Sequence, residues 1–139
     1  MTSLHSDKVS INCDTQKIFS FLGDFNNFEK LMPEQIINWH STPDQCSFTI
    51  QGMADLGMRI KDRKPFSSII IESEGDVPFD FELICNLNEL HQNHTEAQLI
   101  FNAQLNPMMQ MLAKGPLQNF VNILVNKLKE VFEEKEFSG

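Results

Sequence analysis

Two hydrophobic periods divide the chain. From Ile36 to Leu105 apolar residues alternate with polar ones, the period of a half-buried strand. Ile37 and Trp39 share one face of a first run. After the turn residues Thr42-Pro43-Asp44-Gln45 come Cys46, Phe48 and Ile50, and after Gly52 come Leu56, Met58 and Ile60. Ile69, Ile70 and Ile71 follow Lys64-Pro65. Phe79, Phe81, Leu83, Cys85 and Leu87 follow Gly75-Asp76-Val77-Pro78. A polar loop around His91-Gln92-Asn93-His94 leads to Ala97, Leu99, Phe101, Ala103 and Leu105. Six strands separated by short turn signals predict an antiparallel meander with one buried face and one wet face. Asp80, Glu82, Asn86, Glu96, Gln98, Asn102 and Gln104 take the alternate positions of the last two strands, on the wet face.

From Asn106 to Phe137 the period lengthens. Leu117, Phe120, Val121, Leu124, Leu128, Val131 and Phe132 recur at three- and four-residue steps, one stripe of a long helix. Asn106 suits the N-cap and Pro107 the first helical position. Gly115-Pro116 interrupts the pattern. Proline removes one helical hydrogen bond and crowds the carbonyl four residues back, so a kink or a break is expected there. Ahead of it, Met108, Met109, Met111 and Leu112 spread round most of the circumference and cannot all face one core. Lys127 to Glu136 reads as a solvated face with an attractive Lys129–Glu133 pair and a repulsive Glu130–Glu134 pair. Phe137-Ser138-Gly139 reads as a frayed end.

Ahead of the meander, Lys8 to Asn12 reads as a first strand with Val9 and Ile11 on one face. Asp14 offers the N-cap of a short helix carrying Ile18, Phe19 and Leu22, which Gly23 ends. Asn26 offers a cap for a second short helical turn carrying Phe28 and Leu31, and Pro33 stops it. The predicted order is strand, two short helices, six strands, long helix. This is an α+β class: a seven-stranded curved antiparallel sheet wrapped round the long C-terminal helix, the one element large enough to cover it. With no repeat, low-complexity tract or linker, residues 1–139 are expected to form a single domain.

Composition narrows the function classes. The formal net charge of -8 argues against non-specific binding to nucleic acid or to anionic membranes, which takes Lys/Arg patches. The one close basic cluster, Arg59, Lys61, Arg63 and Lys64, is broken by Asp62 and reads as a strand end or solvated loop. The first eight residues are polar and do not form a signal peptide, and no apolar run reaches membrane-spanning length. Cys13, Cys46 and Cys85 are odd in number and far apart, so no disulfide framework is implied and a reducing cytoplasm is the expected compartment. Cys46 and Cys85 sit in alternating apolar runs, the habit of small buried hydrophobes.

The predicted order, together with particular residues, resembles the START-like superfamily (SRPBCC, or helix-grip). The residues are Val9-Ser10-Ile11, then Ile18-Phe19-Ser20-Phe21-Leu22-Gly23-Asp24, Phe28-Glu29-Lys30-Leu31-Met32-Pro33 and Leu105-Asn106-Pro107. Within the superfamily the chain looks most like the small bacterial polyketide cyclase/dehydrase-like and carbon monoxide dehydrogenase G-subunit-like proteins. The resemblance implies the helix-grip fold and a cavity between sheet and long helix. Members bind sterols, lipids, polyketides and other apolar molecules there. Some are enzymes, many are carriers or sensors, and some are co-chaperones. The superfamily shares no catalytic motif.

Given that implied cavity, inward strand positions Phe48, Met58, Ile71, Phe81 and Phe101, with Phe120 of the helix, are the expected ligand wall. Met108, Met111 and Leu112 would form a flexible gate at one end. The same apolar positions also suit a solid core, and methionines also fill gaps under loops. Gly115-Pro116 is either a hinge or shape-fitting to a curved sheet. Catalysis has little to rest on: tyrosine is absent, no Ser/His/Asp or Cys/His arrangement is visible, and the inward positions are almost wholly apolar. His40 and Arg59 are expected to point outward, and Asp62 to sit at an exposed strand end. His91 and His94 are the one metal-like pair, and a polar hairpin loop explains them without a metal. The expectation is therefore a monomer that binds an apolar small molecule or lipid without chemistry, cofactor, metal, nucleic acid or membrane insertion. A cyclase-type enzyme and a co-chaperone-like interaction module are the alternatives.

Overall fold

The computed structural model describes residues 2–138, with side chains from Thr2 to Glu133. The Glu134 side chain of the expected Glu130–Glu134 repulsion, the side chains of Phe137 and Ser138, and Gly139 of the expected frayed end lie outside what is described. One antiparallel sheet carries most of the chain. Its strands are β1 (Thr2–His5), β2 (Val9–Ile11), β3 (Ile36–Ser41), β4 (Gln45–Ile50), β5 (Ala54–Lys64), β6 (Ser68–Ser73), β7 (Phe81–His91) and β8 (His94–Ala103). The order across the sheet is β1-β8-β7-β6-β5-β4-β3, with β2 also on β8. Helices α1 (Thr15–Leu22) and α2 (Phe25–Phe28) and a 3-10 turn (Glu29–Leu31) follow β2, and α3 (Pro107–Ser138) ends the chain.

The sheet has eight strands, not seven. β1 and β2 lie end to end along β8: His5 pairs with Ile100 and Val9 with Ala97, one residue out of step. Ser6 sits at that step. Its N–H donates to the Leu99 carbonyl at 2.9 Å, and its hydroxyl accepts from the Leu99 N–H at 2.8 Å. Residues 2–8 show no strand pattern in the sequence because, among them, only Thr2, Leu4 and Ser6 turn inward.

Local chemistry sets the helix ends. The Asp14 carboxylate accepts from the Gln16 and Lys17 N–H groups at 2.7 and 3.4 Å, and the Gly23 N–H returns to the Phe19 carbonyl. Asp24, not Asn26, caps α2, accepting from the Asn26 N–H at 2.9 Å. Asp24 precedes the buried Phe25 and so marks the true start. Asn106 caps α3 by accepting from the Met109 N–H at 2.8 Å. α3 is helical throughout, Gly115 and Pro116 included, so of the expected kink or break the break is absent.

Two bulges reset the side-chain parity. Between Ile37 and His40 the β3 register slips, and Asn38 takes φ 57°, which asparagine tolerates better than most residues. Ile36 and Trp39 therefore turn inward, and Ile37 is exposed rather than sharing the Trp39 face. A second slip lies between Ile60 and Asp62, and Asp62 is exposed.

The basic cluster has a structural use. Arg63 donates to the Gly23 carbonyl at 3.1 and 2.8 Å and to the Asp44 carboxylate at 2.6 Å. It ties β5 to the C-terminus of α1, where a cation is favoured by the helix dipole. Arg59 pairs with Glu72 on the outer face. At the β7–β8 turn the His91 and His94 rings lie 4.1 Å apart, tilted by 34°.

Candidate functional site

The space between sheet and helix is filled. A void wide enough for water would leave its walls accessible. Instead Met58, Ile71, Phe101, Leu117 and Val121 are at most 1% exposed. The accessible surface of 7561 Å² matches the roughly 7400 Å² of a compact monomer of this length. Phe48, Phe81 and Phe120 are buried in the same core. Phe81 stacks on Phe101 at 5.0 Å, and Trp39, Phe48 and Phe120 stack in sequence at 5.5 and 6.3 Å. Trp39 Nε1 is buried without a protein acceptor.

Open space appears at the margin instead. α3 lies closest to β1, β2, β8 and the 3-10 turn, and on its other side it faces the β4–β5 turn across a cleft of about 290 Å³. The sheet-side wall is Pro33, Gln35 and Ile36 leading into β3, with Ile50, Gln51, Gly52 and Met53 at the β4–β5 turn. The Gln51 N–H donates to the Gln35 carbonyl at 2.8 Å and joins these two segments. Gly52, at φ 78°, sits where a side chain would strain the turn. The helix-side wall is Leu112, Pro116, Asn119, Phe120 and Ile123. Their spacing puts them on one helical face, beside the core stripe.

Of the expected ligand wall, Leu112 and Phe120 line this cleft. Phe48, Met58, Ile71, Phe81 and Phe101 lie inside the core. Met108 and Met111 stand out in solvent, 71% and 87% exposed. Pro33, Ile36, Ile50, Met53, Pro116 and Ile123 join the site without having been expected there. The available signal was the width of the helical stripe: Leu112, Pro116 and Ile123 extend it sideways. Pro116 belongs to the cleft wall, and no side chain among the lining residues is ionisable.

A wider depression of about 970 Å³ lies between α1, α2, the β7–β8 turn and α3. Its walls mix the amides of Asn12, Gln16, Asn27 and Asn93 with Asp14, Lys17, Lys30 and Ser20, and with Cys13 and the rings of Phe21 and Phe132. On the outer sheet face Arg59 and Glu72 neutralise one another. Among the described residues no three His, Cys, Asp or Glu side chains lie close enough to hold a metal. Burial pushes the Cys46 and Cys85 thiols up to about 12, so both are protonated packing groups at neutral pH.

No protein-family model matches the chain, and no curated protein matches it. Solved structures do. XoxI from Bacillus cereus superposes with a TM-score of 0.76 over 98% of this chain and 99% of that one, at 12% identity. A START superfamily protein from Mycobacterium smegmatis gives a TM-score of 0.70 over 95% and 97%, at 15% identity. An Aha1 dimer from Colwellia psychrerythraea, solved in solution, gives 0.70 over 96% and 97%, also at 15%. The chain therefore has the START-like, helix-grip fold. At these identities the likeness is one of fold alone.

Proposed function

We propose that this START-like domain binds an apolar small molecule or a lipid chain, without chemistry, in the cleft between α3 and the β4–β5 turn. One observation carries the reading: an apolar cleft at the margin of the sheet–helix sandwich, with Leu112 on its wall though 71% exposed. Ligand sites are concave, mostly apolar and supplied with a few polar groups. The walls combine Ile36, Ile50, Met53, Phe120 and Ile123 with the amides of Gln35, Gln51 and Asn119. The cleft has no acid or base side chain through which a proton could move, so binding fits it better than a cyclase-type reaction. Among the described residues no helix is long and apolar enough to cross a membrane. The domain acts as a monomer in the cytoplasm on this reading.

The test is uptake of a neutral apolar fluorophore such as N-phenyl-naphthylamine. Its emission rises with the native protein. Leu112→Glu, a change at an exposed helical position, lowers the affinity at least tenfold. Equal affinity in both proteins removes the cleft as the site.

A second reading has its own observation. Met108 and Met111 are exposed beside the cleft, and adaptable methionines suit a partner surface. Paired Met108→Ser and Met111→Ser changes separate the two. They leave fluorophore uptake intact if the cleft is the site, and they abolish partner binding if the helix end is a docking surface.

A further inference from the structure

We propose that the cleft selects an uncharged ligand of small size that carries one hydrogen-bond donor, seated against the Leu112 carbonyl. This rests on the reading of the cleft as an apolar ligand site and names the class of ligand it takes. Pro116 lies inside α3 and has no N–H. In an α-helix the carbonyl of residue 112 receives the N–H of residue 116. Leu112 therefore keeps an acceptor without its regular helical donor, and both Leu112 and Pro116 line the cleft. Once a ligand displaces water from that carbonyl, leaving it without a donor is costly, and a ligand hydroxyl or amide N–H supplies one.

Charge is excluded by the rest of the lining. Glu34 and Lys114 neighbour cleft residues in sequence, but neither belongs to the wall, and both are exposed. An ionised group drawn into the cleft would lose hydration and meet no counter-charge. The side-chain amides of Gln35, Gln51 and Asn119 offer neutral partners to an alcohol or amide. Size follows from volume: about 290 Å³ equals about ten water volumes, hence a one- or two-ring compound or a short chain.

The test compares four probes with one apolar body: naphthalenemethanol, its methyl ether, naphthoate and naphthylmethylammonium. Amide shifts of Gly52, Met53, Asn119 and Ile123 in the full-length labelled protein report binding. The alcohol is expected to bind at least tenfold tighter than either ion and several-fold tighter than the ether. Pro116→Ala returns the N–H to the Leu112 carbonyl at an exposed position where alanine is the better helix former. It is expected to erase the preference for alcohol over ether, read as the ratio of the two affinities within the variant. If all four probes bind the cleft alike, or if Pro116→Ala keeps the preference, the selectivity is overturned and the apolar-cleft reading survives. If none of the four shifts these amides, both are overturned.

Discussion

At the scale of single residues, Phe66 takes a conformation its side chain disfavours. The Ser67 N–H closes on the Lys64 carbonyl at 3.0 Å, with Pro65 and Phe66 at the corners and Phe66 at φ 62°. That is the pattern of a type II turn, whose third position ordinarily asks for glycine. The Phe66 ring meets Phe19 edge-on at 5.6 Å. Strain of about 1–3 kcal/mol thus opposes a ring contact of about 0.5–1.5 kcal/mol. Phe66→Gly should range from near neutral to about 2 kcal/mol stabilising, whereas β-branched Phe66→Val should clearly destabilise. Thermal unfolding followed by the fluorescence of Trp39, the sole tryptophan, measures both.

The buried thiols give a pH dependence at the same scale. Folded, Cys46 and Cys85 hold their protons up to about 12, against an ordinary 9.0. Between these values the unfolded chain loses the protons first. Their contribution to stability is therefore complete below about pH 9 and declines as pH rises towards 12. Urea unfolding midpoints should fall across that window, and more shallowly in Cys85→Ala than in the parent. Caps at Asp14, Gly23 and Asn106 were legible because each depends on one side chain and its neighbours. The inward face of β3 was not, because the bulge at Asn38 answers to pairing with β4, and alternation alone points Ile37 the wrong way.

At the scale of elements, α3 does two different things along its length. Its stripe after Pro116 is core: Leu117, Leu124 and Leu128 are at most 1% exposed. Its first turns carry Met108 and Met111 into water. Leu124→Ala should therefore cost about 2–5 kcal/mol, and Met111→Ala should stay within about 0.5 kcal/mol. Denaturant titrations of the two variants decide this, and equal losses would mean the first turns are packed too. The helix and its dividing proline could be read from periodicity and composition. Continuity through Pro116 could not, because it depends on how firmly the stripe from Leu117 to Leu128 is held in the core, which offsets the one hydrogen bond lost. β1 is hidden for a related reason. Four mostly polar residues make no pattern alone, and β1 is fixed by the free edge of β8, by Ser6 and by Gln118 of α3, which donates to the His5 carbonyl at 2.8 Å.

At the scale of the molecule, the architecture was written in the alternation of hydrophobic period, and it returns as the START-like fold. The cleft was not written there. It exists because α3 leans towards β1 and β8 and leaves the β4–β5 turn uncovered, a relation between distant segments. The same lean lets the aromatic stack from Trp39 to Phe120 close the interior. Ligand access, on this account, runs along the outside of the core and requires no opening of the sheet–helix sandwich. The most direct measurement is native mass spectrometry of the protein purified gently from its own cells. The account predicts a small apolar species bound one to one, absent from Leu112→Glu. Bare protein in both preparations, with no uptake of added apolar compounds, would contradict it.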